Sequence, residues 1–152
     1  MGTDPTPPLL ILDTSVVLRW FLEKGEADLA AARRIREAFL SGRCRLGAPD
    51  LLLMEVANAL TSGRRANPKE VSEVIVTIFE IGIQLFEIQL GALVRAVELA
   101  STYRLAVYDT YFLALAIEAG GLLVTADAGV LRKLKTHGRL TSLHEFHLRD
   151  QL

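Results

Sequence analysis

An α/β domain in three layers, with helices packed around a central, mainly parallel sheet, is the fold class this sequence predicts. Three observations carry the prediction. Leu9-Leu10-Ile11-Leu12 and Leu122-Leu123-Val124-Thr125 are short, nearly unbroken apolar runs of the kind that form strands buried on both faces. Runs of that type alternate along the chain with longer stretches of helical periodicity, the pattern of βαβ winding and not of a sandwich or a bundle. The 152 residues, 51% of them hydrophobic and 23% charged, suffice for one well-buried core and require no second domain.

The elements follow in order. Residues 1–8, which hold Pro5, Pro7 and Pro8, read as a loose leader before a domain spanning 9–148. Met1-Gly2 with Thr6 matches a permissive acylation pattern that nothing else in the segment reinforces. After the strand Leu9 to Leu12, Ser15 to Leu22 reads as a short helix and Glu26 to Leu40 as a longer amphipathic one, stopped at Ser41-Gly42. Cys44 to Ala48 is strand-like. Pro49-Asp50 opens a helix running through Leu60, and Asn67-Pro68 opens another through about Ile81, with proline in the first turn, where no intrahelical N–H is needed. Gly82 punctuates; Ile83 to Ile88 alternates as a strand, and Ala92 to Tyr103 and Thr110 to Ala119 are helical up to Gly120-Gly121. Leu122 to Thr125 is a strand, Ala128 to Lys135 a helix, and Leu140 to Leu143 a last strand before a polar tail.

Composition narrows the function. With 17 basic and 18 acidic residues the net charge is -1, so no global positive field draws nucleic acid, and any polyanion must meet local patches. The candidates are Arg64-Arg65 and the run holding Arg132, Lys133, Lys135 and Arg139; Arg33 to Arg36 reads better as a solvated helix face. Every apolar run is broken by charge well short of a bilayer span, and no secretion signal leads the chain. The single cysteine, Cys44, cannot form an internal disulfide and reads as a small buried hydrophobe; a cytoplasmic location is the expectation.

Four acids stand out. Asp13 and Asp127 each end a buried apolar run, at the strand edge where open α/β sheets bind ligands. Asp109 opens the helix at Thr110. Each of the three also suits a helix N-cap, and taken singly the capping and chemical readings both stand. Capping does not account for Glu55, which lies within the aliphatic stretch Leu51 to Leu60 on a narrow polar stripe with Asn58 and Ser62. A buried, unpaired carboxylate is destabilising by several kcal/mol, so Glu55 must reach water, a proton or a cation. Carboxylates gathered together repel by roughly 1 to 4 kcal/mol per contacting pair and call for a cation. An all-oxygen donor set selects a hard ion, Mg²⁺ or Mn²⁺, and such ions assist phosphodiester hydrolysis.

The arrangement resembles the PIN-domain ribonucleases, most closely the VapC toxins of toxin–antitoxin pairs. The matching pieces are Leu12-Asp13-Thr14-Ser15, Glu55 through Leu60, Tyr108-Asp109-Thr110-Tyr111 onward to Ala116, and Thr125-Ala126-Asp127, in order and spacing over nearly the whole chain. The resemblance implies a PIN-like fold and a divalent-metal-dependent endoribonuclease. It also implies a site of Asp13, Glu55, Asp109 and Asp127 with Thr14, Ser15, Asn58 and Thr125 supporting it, a 5′-phosphate product, a VapB-like antitoxin laid across the site, and a homodimer. The last acidic motif of the family sometimes carries a further acid, which Ala128-Gly129-Val130 does not supply, so the resemblance leaves one metal or two open. Val16, Val17, Trp20 and Phe21, beside Asp13, are the expected apolar part of the antitoxin groove.

Rival readings differ in class. An aspartyl-phosphate enzyme of the haloacid dehalogenase type wants a second acid two residues after the first, where this chain has Ser15. A nucleotide-binding module wants a glycine fingerprint or P-loop after a strand, and none follows. A degenerate domain that only binds RNA or protein survives if the acids do not converge. His144 and His147 have a spacing that suits one metal but lack a third ligand, and read as exposed polar residues; His137 reads as part of a basic face.

Overall fold

A computed structural model of the chain describes residues 6–22 and 28–148. The described strands are β1 (Leu9–Leu12), β2 (Arg45–Pro49), β3 (Gln84–Phe86), β4 (Leu122–Thr125) and β5 (Leu140–Ser142). They form one sheet in the order β3-β2-β1-β4-β5, and every neighbouring pair is parallel. The described helices are α1 (Thr14–Leu18), α2 (Leu29–Leu40), α3 (Leu51–Asn58), α4 (Pro68–Ile81), α5 (Leu90–Tyr103), α6 (Val107–Ala119), α7 (Ala128–Leu134) and α8 (Leu143–Leu148). The predicted three-layer α/β architecture is therefore what forms.

β1 is the central strand because nothing polar interrupts it: Leu10, Ile11 and Leu12 are at most 2% exposed, and Leu10 pairs with Leu46 on one side and Leu122 on the other. Gly47 on β2 lets the layers close, since a Cβ there would lie 2.7 Å from the Phe86 ring and 3.1 Å from Ile11. α6 passes through the middle of the core, with Thr110 through Ala116 all buried. α5 packs along α6 through Ala92, Ala96 and Ala100, and the Thr110 hydroxyl donates to the Ala96 carbonyl at 2.8 Å. The chain lays down β1 to β3 on one side of the sheet and β4 and β5 on the other, so the winding reverses between β1 and β4. In open parallel sheets, ligands bind outside the carboxyl ends of the strands at such a reversal.

Several boundaries differ from the expected ones. α1 ends at Leu18 and gives way to a tighter turn over Arg19–Phe21, while α3 relaxes into a wide turn over Ala59–Gly63. α5 begins two residues early, at Leu90. α6 begins at Val107, three residues before the expected Thr110, because its packing on α5 overrides the weak helix preference of Val107 and Tyr108. The tail after β5 is a helix, α8, anchored by fully buried Leu143 and packed on α2; the backbone N–H of Glu145 donates to the Ser142 hydroxyl at its start. Glu26 and Ala27, the expected start of α2, lie outside the described residues, as do residues 1–5 of the expected leader. Among the described residues no helix is long and apolar enough to cross a membrane. Cys44 is buried, as expected of it.

Candidate active site

Asp13 and Asp127 sit directly beyond the carboxyl ends of β1 and β4, on either side of the winding reversal. The Asp13 N–H donates to the Val124 carbonyl at 3.0 Å, which extends the β1–β4 pairing to the acid itself. Two hydroxyls then tie the strand ends together. Ser15 Oγ donates to the Asp13 carboxylate and accepts from the Ala126 N–H at 3.0 Å; Thr125 Oγ1 donates to Asp13 at 3.1 Å and accepts from the Asp127 N–H at 3.1 Å. Asp13 also accepts from the Ser15 N–H at 3.3 Å and Asp127 from the Val130 N–H at 2.8 Å, capping α1 and α7. Both readings of these two acids hold at once: they cap, and they face the same edge.

Glu55 lies in the second turn of α3, half-buried, and its carboxylate accepts from the Thr14 hydroxyl. Asp109 is half-buried in the first turn of α6. It does not cap that helix, whose N-cap position is Ala106 with no side-chain bond, so the capping reading fails for Asp109. Its placement there needs another reason.

The electrostatics supply one. Burial raises the Asp13 carboxyl above the usual 3.8, the Asp127 charge adds to the rise, and the hydrogen bonds from Ser15 and Thr125 oppose it. Glu55 is raised above 4.5, first by burial and then by the charges of Asp13 and Asp109, against the Thr14 bond. Asp109 is raised by burial, then by Asp127 and by Asp13. Four carboxylates thus sense one another at the reversal edge, although they come from four separate parts of the chain. Each of three has turned to a local donor: Asp13 to Ser15 and Thr125, Glu55 to Thr14, Asp127 to Val130. Among the described residues, no three His, Cys, Asp or Glu side chains are drawn to metal-holding spacing. That is the arrangement expected of repelling charges, each taking the nearest hydrogen.

The other predicted residues divide. Thr14, Ser15 and Thr125 bond directly to the acids. Asn58 is exposed and accepts from the Ser62 hydroxyl at 3.2 Å, at the end of the predicted stripe. Arg64 and Arg65 are exposed beyond the wide turn that follows α3, with Arg65 at φ 53. Arg132, Lys133 and Lys135 are exposed on or just after α7, the helix capped by Asp127, and Lys133 Nζ donates to the Arg104 carbonyl at 2.5 Å. Arg139 is not brought to the acids. Its carbonyl accepts from Leu123 and its guanidinium reaches the Gly121 carbonyl at 3.4 Å, which places it at the amino-terminal edge of the sheet.

One expectation about side residues changes. Val16 and Val17 are fully buried and Trp20 is 7% exposed, its indole N–H donating to the Ala32 carbonyl at 2.8 Å, so these three line no groove; Phe21 alone is half-buried. His144 is exposed, as expected of it, with its Nδ1 3.3 Å from the Asp28 carboxylate on the α2–α8 side; the side chain of His147 lies outside the described residues. The sequence reading overlooked Thr141, Ser142 and Glu145, which line a cavity of about 450 Å³ beside Ala128, the residue after Asp127. A signal was present in Ser142-Leu143-His144-Glu145, the spacing of a helix-capping box.

Residues 10–135 match the family model of the PIN domain. No curated protein sequence matches the chain. Among solved structures, DNA-bound VapBC from Salmonella typhimurium superposes with TM-score 0.67 at 17% identity, over 90% of this chain and 98% of that one. PAE2754 from Pyrobaculum aerophilum gives TM-score 0.66 at 20% identity over 93% and 88% of the two chains. A toxin–antitoxin complex from Klebsiella pneumoniae gives 0.65 at 16% identity over 88% and 97%.

Proposed function

The chain belongs to the PIN domain family, and on that premise we propose that it is a divalent-metal-dependent endoribonuclease, the toxin of a toxin–antitoxin pair. The observation that supports this reading is that Asp13, Glu55, Asp109 and Asp127 lie near enough at the winding reversal for the charge of one to act on another, adding to the rise that burial gives Asp13, Glu55 and Asp109. The donor set fits Mg²⁺ or Mn²⁺, since it is all oxygen and brings like charges to one edge of the sheet. Asp13, Asp109 and Asp127 would hold the ion, with Glu55 holding it or orienting water. When bound, such an ion supplies a Lewis acid for the phosphate and lowers the pKa of a water.

The protein's own groups do the rest. Ser15 and Thr125 fix the Asp13 carboxylate, so that it faces the edge without searching rotamers. Thr14 holds Glu55 in place by donating its hydroxyl to the carboxylate. The exposed Arg64, Arg65, Arg132, Lys133 and Lys135 are the candidates for RNA phosphates; Arg139 is too far down the sheet for those flanking the cut.

Two partners belong to this reading. The solved relatives from Klebsiella pneumoniae and Salmonella typhimurium are toxin–antitoxin complexes, which supports a VapB-like inhibitor here. Its groove would not be the buried Val16–Trp20 face. A cleft of about 520 Å³ between Phe21, Leu60, Val74 and the acids Glu70 and Glu73 suits a basic amphipathic segment better. A second copy of the chain is the other partner. α5 buries Ala92 and Ala96 against α6 yet exposes Leu90 by 78% and Val94 and Val97 by 52% each. A helix apolar on two faces is normally covered on both.

Incubating the purified protein with total cellular RNA in Mg²⁺, Mn²⁺ or chelator tests the reading. Cleavage with either ion, lost in chelator and in Asp13→Asn, is the expected result. RNA that is bound but never cut would leave a degenerate binding module.

A further inference from the structure

The cavity between α7 and the β5–α8 corner is not used by the acids, and its chemistry is mixed in an informative way. Its walls are the aliphatic side chains of Leu131 and Leu140; its polar lining is Arg132, Lys135, Thr141 and Glu145. At about 450 Å³ it is within the size range of small-ligand pockets. Arg132 and Lys135 stand three residues apart, one helical turn, and neither closes an ion pair with Glu145 or with any other described acid. The Glu145 carboxylate accepts from the Thr141 hydroxyl, at 3.5 Å. Cations and a carboxylate therefore line one space without neutralising one another.

Position ties the cavity to the acids. Ser142 ends β5 opposite Thr125, in register, so the cavity lies one strand over from Asp127 on the same carboxyl edge. Ala128, next to Asp127, is part of its wall. A strand of RNA crossing the acids would pass over its mouth.

We propose that this cavity holds an unpaired guanine of the RNA strand beside the cut, an assignment that rests on the endoribonuclease reading. Apolar walls take the faces of a base. A carboxylate accepts from N–H groups, and guanine alone among the four bases offers a ring N–H and an exocyclic amine side by side on its Watson–Crick edge. Its O6 and N7 are acceptors, matched to an arginine or lysine. Splaying a base out and reading its edges is the usual route to sequence choice in single-stranded RNA. Glu145 is then the specificity-determining residue, and Arg132 and Lys135 serve both the O6/N7 edge and the adjoining phosphate.

The test measures binding in chelator, with the cutting reaction off, by fluorescence anisotropy on short oligouridylates carrying one central G, A, C, U or inosine. The G oligomer is expected to bind on the order of tenfold more tightly than the other standard bases, with inosine, which lacks the exocyclic amine, in between. Glu145→Gln and Glu145→Ala should abolish the preference while keeping affinity for the plain oligouridylate. Arg132→Ala with Lys135→Ala should weaken every oligomer. Equal affinity for all bases, no binding to any, or a preference that survives Glu145→Ala overturns the assignment. Cleavage in Mg²⁺ is scored separately. A protein that cuts RNA with no guanine bias refutes the pocket alone, whereas one that selects guanine but never cuts refutes the nuclease reading alone.

Discussion

Asp13 bears two loads, since it caps α1 and lies among like charges, and the two respond oppositely to substitution. Asn keeps an acceptor for Ser15 and Thr125 but removes the charge, so Asp13→Asn should abolish cleavage while leaving the metal-free fold at least as stable. Activity assays beside thermal melts check this, and an active variant that only melts earlier would reduce Asp13 to a cap. Because Asp13, Glu55 and Asp109 are all raised in the folded chain, the folded state binds protons more readily than the unfolded one. The stability they contribute is complete below their ordinary values of 3.8 and 4.5 and is lost as pH rises through the raised ones. The metal-free protein should therefore melt at a higher temperature in the acid range just above those ordinary values than at neutral pH. Mn²⁺ should narrow the difference, and Asp13→Asn should flatten it. A melting temperature that instead climbs from that acid range to neutrality would show the acids to be unstrained. Glu55→Gln isolates one role, as Glu55 caps no helix. Lost cleavage with unchanged Mn²⁺ affinity assigns it to the water, and lost affinity assigns it to the ion.

Helices place these residues, and each is held in a way that can be tested apart from the chemistry. α4 begins with a full capping box, Asn67 accepting from the Glu70 N–H at 3.0 Å and Glu70 from the Asn67 N–H at 3.1 Å, with Pro68 in the first turn. Asn67→Ala should destabilise the fold by about 1 kcal/mol in denaturant titration and leave cleavage unchanged. α5 tests the second copy. Lysine at Val94 and Val97 puts charge on the exposed face and leaves the Ala92–Ala96 face intact, so a dimer seen by light scattering should become monomeric with the melting of the monomer unaltered. A dimer indifferent to both substitutions would place the interface elsewhere.

Across the whole molecule, charge is nearly balanced, so on the proposed reading affinity for RNA comes from few contacts. The arginines and lysines of the candidate strip sit in two separate places, just beyond the wide turn that follows α3 and on or just after helix α7. Few phosphate contacts mean a shallow loss of binding with added salt. A metal-assisted attack by water needs no 2′-hydroxyl. Replacing the nucleotide at the cut with its 2′-deoxy form should therefore leave cleavage largely intact. Complete loss, with a cyclic phosphate among the normal products, would make the 2′-hydroxyl the nucleophile and overturn the hydrolytic reading.

How much of this was legible in the sequence depends on the range of the interaction that decides it. β1 and β4 were readable because an unbroken aliphatic run is stable only when covered on both faces, and α4 because Asn67, Pro68 and Glu70 satisfy the free N–H groups of its first turn locally. Glu55 was readable because a carboxylate in an aliphatic helix requires a partner wherever the helix packs. Only the tertiary structure decided that α6 starts at Val107, where packing on α5 outweighs propensity, and so that Asp109 is no cap. It alone buried Val16, Val17 and Trp20, whose apolar character is the same in a groove and in a core. It also set Arg139 at the far edge of the sheet and brought Glu145 and Arg132 to the lining of one cavity. Positions of that kind depend on which strands become neighbours, a choice made by the packing of the whole chain and not by any one stretch of it.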